Sequence, residues 1–458
     1  MHLFLMLLSH GVCVRILLRK LAMRATMTHP IPSTSEQQKI RALSDRLVAL
    51  QQPIRILDAI KWDDTVKAEF FKNNFQQLPN VNKAYYEKRP LPFDPDELTT
   101  AFHALIREIK NELGQYTGIS KIMIRLCEEY CQAILMIRSR GKPLFSELAM
   151  ELYGAPDDAF YPNGPRLSDL GTTLGKILEN LVLEMVSDAD EKKYTAEEAL
   201  VILQAKLSDY FHHTDHVTVA LSDNIVADAS AGADCIKLNR NVKFSDRDLR
   251  YLEVHEGWVH VGTTLNGLAQ PICTFLAKGS PTSSITQEGL AVTTEIFTFS
   301  SYPSRMLKIT NRVRALNLVQ AGGNFIDVFR FFREQGMSEN ESYYYSVRVF
   351  RGSTPDGGPF TKDLSYTKGF LLIYNYIRLA VREGLSDRIP LFFTGKTLIE
   401  DIPTLHELKQ QGLIEPARYL PSQFKDLAAL SSWMGFSLFL NQFDLDAVAS
   451  HYGYILRK

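Results

Sequence analysis

Residues 255–260 read His-Glu-Gly-Trp-Val-His, and this hexapeptide constrains the fold more than any other stretch of the chain. It lies inside a well-marked helix. Ser245 is a good N-cap, Asp248 stands at N3, and Phe244 and Leu249 occupy the two positions of a hydrophobic staple. Two imidazoles with a carboxylate beside the first suit a zinc site. Neutral imidazole nitrogens ligate zinc, and a non-ligating Glu can take a proton from water. The familiar spacing is i and i+4, about 40° apart around a helix, whereas here it is i and i+5, roughly 140° apart. On a regular α-helix the pair cannot share an ion. A local π-turn brings the two rings back to one side, and Gly257 sits where backbone distortion costs least. The sequence therefore predicts a helix that must widen between His255 and His260.

Catalytic zinc usually takes three protein ligands. Ser284-Ile-Thr-Gln287 reads as a capping box that opens a second helix, with Glu288 in its first turn and Gly289, Leu290 and Ala291 after it. The small residues are expected to let this helix approach the first one. Glu288 is the candidate third ligand. Glu295, seven residues on and nearly on the same face, is its rival for that role or a partner behind the ligands.

The rest of the chain reads as mainly α, an α+β protein with a helical N-terminal part and a zincin-like catalytic domain holding a small sheet. Residues 1–27 read as an extension, with Met27 as a later start; the apolar Leu3–Leu8 run makes a membrane-surface helix or a signal the lesser readings. Residues 28–210 form the helical region and 211–458 the catalytic domain. Asp94-Pro95 opens a helix that Gly114 closes, with Leu98, Phe102, Leu105 and Ile109 as its apolar stripe. A second helix is expected from Ser120 to Gly141, with Cys127 and Cys131 as core thiols, and others at 167–187 and 195–210. Strands are expected at 216–222, 225–227 and 235–239. Ile236 to Asn239 is the candidate edge strand for an extended peptide.

Lys plus Arg number 51 against 52 Asp plus Glu, so no basic excess points to nucleic acid. Five scattered Cys imply no disulfide framework and fit a reducing compartment such as the cytoplasm. No run of 18 apolar residues predicts a membrane span. Two motifs are set aside. Thr394-Gly395-Lys396-Thr397 is similar to the end of a phosphate-binding loop, but Pro390 stands where the first Gly is required. His212, His213 and His216 around Asp215 read as a solvated turn.

His-Glu-Gly-Trp-Val-His at 255–260 and Thr-Gln-Glu-Gly-Leu-Ala at 286–291 resemble the bacterial "flavohemoglobin expression-modulating QEGLA motif" proteins. Those in turn resemble the microtubule-associated tyrosine carboxypeptidases. The resemblance covers most of the chain after about residue 36 and is most specific from about 225 to 370. It implies a zinc metallopeptidase with His255, His260 and Glu288 as ligands and Glu256 as general base. The stretch Arg351-Gly352, Phe360-Thr-Lys362-Asp363 and Tyr366 also follows the family pattern. A carboxypeptidase needs a cation for the terminal carboxylate, and Arg351 and Lys362 are the candidates. Tyr366 is the candidate for oxyanion stabilisation, with Tyr343 to Tyr345 as rivals. The substrate is expected to be a peptide or protein C-terminus, with a tyrosine-like last residue as the first candidate. The competing function is a non-catalytic regulatory protein affecting flavohaemoglobin expression.

Overall fold

The computed structural model describes residues 33–456, apart from 116, 185–189, 212–215, 224 and 226. The N-terminal extension and His212, His213 and Asp215 lie outside the described residues. The chain is mainly helical with one three-stranded sheet.

Local signals in the sequence account for the helix starts. Helix α1 (Pro95–Leu113) begins where the Asp94 side chain accepts from the backbone N–H groups of Asp96 and Glu97, with Pro95 in the first turn. Its stripe of Phe102, Leu105 and Ile109 is buried, and Gly114 closes it at a φ of 72°. Helix α2 (Gly118–Arg138) starts two residues before the expected Ser120, because Thr117 caps it by accepting from Ser120 N. Cys127 of α2 is buried and Cys131 half-buried, both in one large apolar core that joins residues 40–137 to residues 259–434.

Helix α3 (Ala196–Tyr210) leads into the sheet. Strands β1 (Thr218–Ser222), β2 (Ala229–Ala231) and β3 (Cys235–Asn239) lie in the order β1-β3-β2. β1 pairs with β3 in parallel, Val219 opposite Ile236, and β2 pairs with β3 antiparallel. Two expectations are corrected. The strand expected at 225–227 forms four residues later, and Ile236 to Asn239 lies on the central strand. The edges belong to β1 and β2. Ile236 and Leu238 point inward beneath α3 while Lys237 between them is exposed, so β3 is paired along both edges and buried on one face.

Candidate active site

Helix α4 (Asp246–Leu252) opens as the sequence predicts. Ser245 Oγ accepts from Asp248 N at 3.1 Å, and Asp248 Oδ2 accepts from Ser245 N at 2.7 Å. The next nine residues, Glu253–Val261, form a π-helix, and α5 (Gly262–Leu268) continues as an ordinary α-helix. The widening expected from the i, i+5 spacing is therefore present. It sets the His255 and His260 rings edge to face, their centroids 4.7 Å apart. Gly257 has a second reason to be glycine: a Cβ there would meet Leu207 of α3 at 2.4 Å.

Glu288 comes from α6 (Ser283–Phe297). Its Oε2 lies 3.2 Å from His255 Nε2 and 3.4 Å from His260 Nε2. The three residues offer ligand atoms that all lie within 4.8 Å of one another, the only such His/Cys/Asp/Glu group among the described residues. Two nitrogens and a carboxylate converging on one point are a donor set that fits zinc. In the metal-free chain burial alone would raise the Glu288 carboxyl. The two imidazoles and Lys362 instead hold it well below the usual range. Burial works to lower the His255 imidazole, but Glu288 and Glu295 raise it to about 9.

Glu295 takes the position behind the ligands. Its fully buried Oε1 lies 2.6 Å from His255 Nδ1 and accepts from Arg305 Nη2 at 3.3 Å. That contact leaves Nε2 of His255 facing Glu288, as a carboxylate behind an imidazole ligand does.

The start and packing of α6 differ from expectation. Thr282 precedes its first turn, and Ser284 lies inside it, donating to Pro281 O at 2.9 Å. Gln287 turns away to accept from Thr263 Oγ1 at 2.8 Å, so no capping box forms. The Pro281 turn starts the helix before the Ser284-x-x-Gln287 pattern can act. Gly289 admits not the His-bearing helix but α9 (Leu364–Arg382), which carries Tyr366. A Cβ on Gly289 would lie 2.1 Å from Gly369 C.

Glu256 stands outside the ligand cluster. Its Oε2 accepts from Ala231 N of the edge strand at 2.9 Å, which fixes the carboxylate beside the site. Tyr366 is half-buried, its ring stacked 6.1 Å from that of His255 and 4.4 Å from the Arg312 guanidinium. Burial, then Glu288, push its phenol up to about 12. It is a hydrogen-bond donor at neutral pH. Of its rivals, Tyr344 accepts from Lys67 at 3.1 Å and Tyr343 is buried against Phe70.

Two cavities flank the cluster, and Glu256 and Tyr366 line both. One, of about 540 Å³, carries His260, Glu288, Arg351 and Lys362 in its wall together with Ser230 and Ala231 of β2. The other, of about 300 Å³, reaches His255, Lys308 and Arg312. Lys362 Nζ lies 3.6 Å from Glu288 Oε1. Arg351 is 7% exposed, packs against Phe360, and burial pushes it down to about 10. Beside it Arg348, at the end of α8 (Glu339–Phe350), forms a fork on Asp363 at 2.7 and 2.8 Å. Arg312, on α7 (Pro303–Gln320), approaches the same carboxylate at 3.9 Å. Two guanidiniums thus contact one acid, Arg351 adds a longer-range attraction, and Asp363 is held well below the usual carboxylate range in spite of its burial.

The structure also brings in residues the sequence does not announce. Arg312 and Lys308 belong to no motif. Lys396 was visible only as part of the rejected phosphate-loop pattern, yet it lines the larger cavity.

No helix among the described residues is long and apolar enough to cross a membrane. No curated protein matches the chain. A family model described as microtubule-associated tyrosine carboxypeptidase matches residues 68–442, a span that contains the π-helix, Glu288 and the whole 351–366 stretch. With four-fifths of its length matched and the site residues inside that match, the chain belongs to the microtubule-associated tyrosine carboxypeptidase family.

Proposed function

We propose that the protein is a zinc-dependent carboxypeptidase that removes a C-terminal residue, tyrosine-like in the first instance, from a peptide or protein. The convergence of His255, His260 and Glu288 carries the reading, with Glu295 set behind His255. These three residues would hold the ion. When bound, zinc supplies Lewis-acid activation of water and of the scissile carbonyl.

The chain's own groups do the rest. Glu256, held by the β2 backbone, takes a proton from water and returns it to the leaving amine. The Tyr366 hydroxyl donates to the oxygen that gains negative charge. The substrate lies extended in the larger cavity, alongside Ser230 and Ala231 of β2. Arg351 and Lys362 bind its terminal carboxylate. Arg351 suits this role because its guanidinium makes no hydrogen bond within the described residues and faces the cavity wall. The free described cysteines accord with a reducing, cytoplasmic setting.

Metal analysis tests the site. One zinc per chain is expected, lost from His255→Ala and from His260→Ala. Stoichiometric zinc in both variants would overturn the assignment. Peptides identical except for a free or amidated C-terminus test the reaction: the free acid should be cut and the amide spared. Equal cutting of both would exclude a carboxypeptidase.

A further inference from the structure

The motif set aside in the sequence, Thr394-Gly395-Lys396-Thr397, lies against the metal cluster. Gly395 approaches the Leu276 carbonyl so closely that a Cβ would lie 2.5 Å from it, and Lys396 N donates to the same oxygen at 2.7 Å. Thr394 Oγ1 donates back to Leu391 O at 2.7 Å. The loop is therefore pinned at its backbone, and its lysine is aimed inward. Lys396 Nζ donates to His260 O at 2.8 Å, to Thr263 Oγ1 at 2.9 Å and to Gln287 Oε1 at 3.0 Å.

A lysine ammonium has three N–H donors. All three are committed to protein acceptors, so Lys396 has none left for a phosphate or for substrate. The acceptors are informative. His260 is one of the three clustered residues, and its carbonyl lies where the π-helix gives way to α5. Carbonyls are loosely satisfied where helix types change. This one also receives Thr264 Oγ1 at 2.8 Å. Gln287 is the neighbour of Glu288 in sequence. One ammonium group thus ties the end of the π-turn, through His260, to the helix that presents Glu288.

We propose that Lys396 is a positioning residue for the metal site, fixing the π-to-α junction and the spacing between His260 and Glu288. The inference rests on the zinc reading above. It explains the Thr-Gly-Lys-Thr stretch without any nucleotide: glycine permits the loop's approach and lysine spans the gap. Hydrogen-bond partners behind metal ligands typically change metal affinity by 10–100-fold.

The test is zinc affinity, measured by competition with a chromophoric chelator, on the full chain and on Lys396→Met. Met keeps the length and apolar stem and removes every donor. Zinc binding should weaken about tenfold or more. The visible spectrum of the Co(II)-substituted protein should change as well, while the circular dichroism and melting temperature of the metal-free protein stay close to those of the parent. A purely structural role would move the melting temperature and leave the spectrum of the folded fraction unaltered. If Lys396→Met does not fold, Lys396→Gln keeps a shorter, neutral donor and should still weaken binding at least fivefold. Affinity within twofold of the parent, in whichever variant folds, overturns the proposal. Absence of zinc binding by the parent would instead overturn the zinc reading itself.

Discussion

Gly289→Ala isolates the geometry of the site from its chemistry. The glycine follows Glu288 and faces Gly369 across the contact between α6 and α9. A methyl group there would stand 2.1 Å from Gly369 C and 2.3 Å from its O. Carbon atoms in ordinary contact lie about 3.5 Å apart, so the helices must separate by roughly 1.4 Å or tilt by an equivalent amount. Both neighbours are backbone, so no side chain can swing aside. Overpacking of this kind costs about 1–3 kcal/mol, a fall of roughly 2 °C or more in melting temperature for a chain of this size. The motion carries Glu288 away from the two imidazoles, or Tyr366 away from Glu256. Misplacement by about 1 Å costs on the order of 100-fold in rate. Thermal unfolding and peptide turnover should therefore both fall. Gly369→Ala should behave alike, since its Cβ would lie 2.0 Å from Ile285 O. The double variant should cost less than the sum, because a single separation relieves both clashes. Gly435→Ala is the control: nothing lies within 4 Å of its Cβ, and helix propensity alone should leave stability unchanged or raise it by up to about 1 kcal/mol. Normal melting and turnover in Gly289→Ala would refute the claim that the glycine pair sets the position of Glu288.

Other outcomes follow from the same geometry. Glu256→Gln should keep the fold and bound zinc and reduce cleavage by about 100-fold or more, since Gln retains the Ala231 contact and loses the base; near-normal turnover would remove Glu256 from the mechanism. Arg351→Ala should raise KM for the free acid by roughly 30-fold and leave weak binding of the amide unchanged; equal effects on both would separate Arg351 from the carboxylate. In the metal-free protein the His255 imidazole is raised to about 9 from an unfolded value near 6.5. Its contribution is therefore fully present below about pH 6.5 and is lost as pH rises through 9, up to about 3 kcal/mol. Denaturant unfolding in chelator across that window should show the decline, and a flat profile would mean that Glu288 and Glu295 do not share a proton with His255.

What could be read from the sequence was what local spacing decides. The i, i+5 pair inside a capped helix demanded a π-turn, because turn geometry depends only on neighbours in the chain. Ser245 and Asp94 are caps for the same reason. Errors came where a distant partner decides. Cys235 to Asn239 is a strand as expected, but its central place depends on β1 pairing along its other side. Ser284-x-x-Gln287 has the letters of a capping box, yet Pro281 begins the turn earlier and Thr263 claims the glutamine. Gly289 reads as a gap for the His-bearing helix, but its partner is Gly369, 80 residues on. Lys396 was out of reach because its acceptors lie 109 and more residues upstream.

Seen along the chain, the π-turn is an α-helix holding one inserted residue. Were this stretch to relax to an α-helix with all its residues kept, everything beyond would rotate by about 100°. That rotation would take Val261 and Leu265 off their apolar neighbours. It would also pull Asn266, which bonds the Tyr419 backbone through both ends of its amide, out of register. The insertion is thus locked from downstream. The helix cannot relax to α at the metal site without unseating its own C-terminal half. A search keyed to the four-residue His spacing passes over such a chain even though its two imidazoles and Glu288 converge.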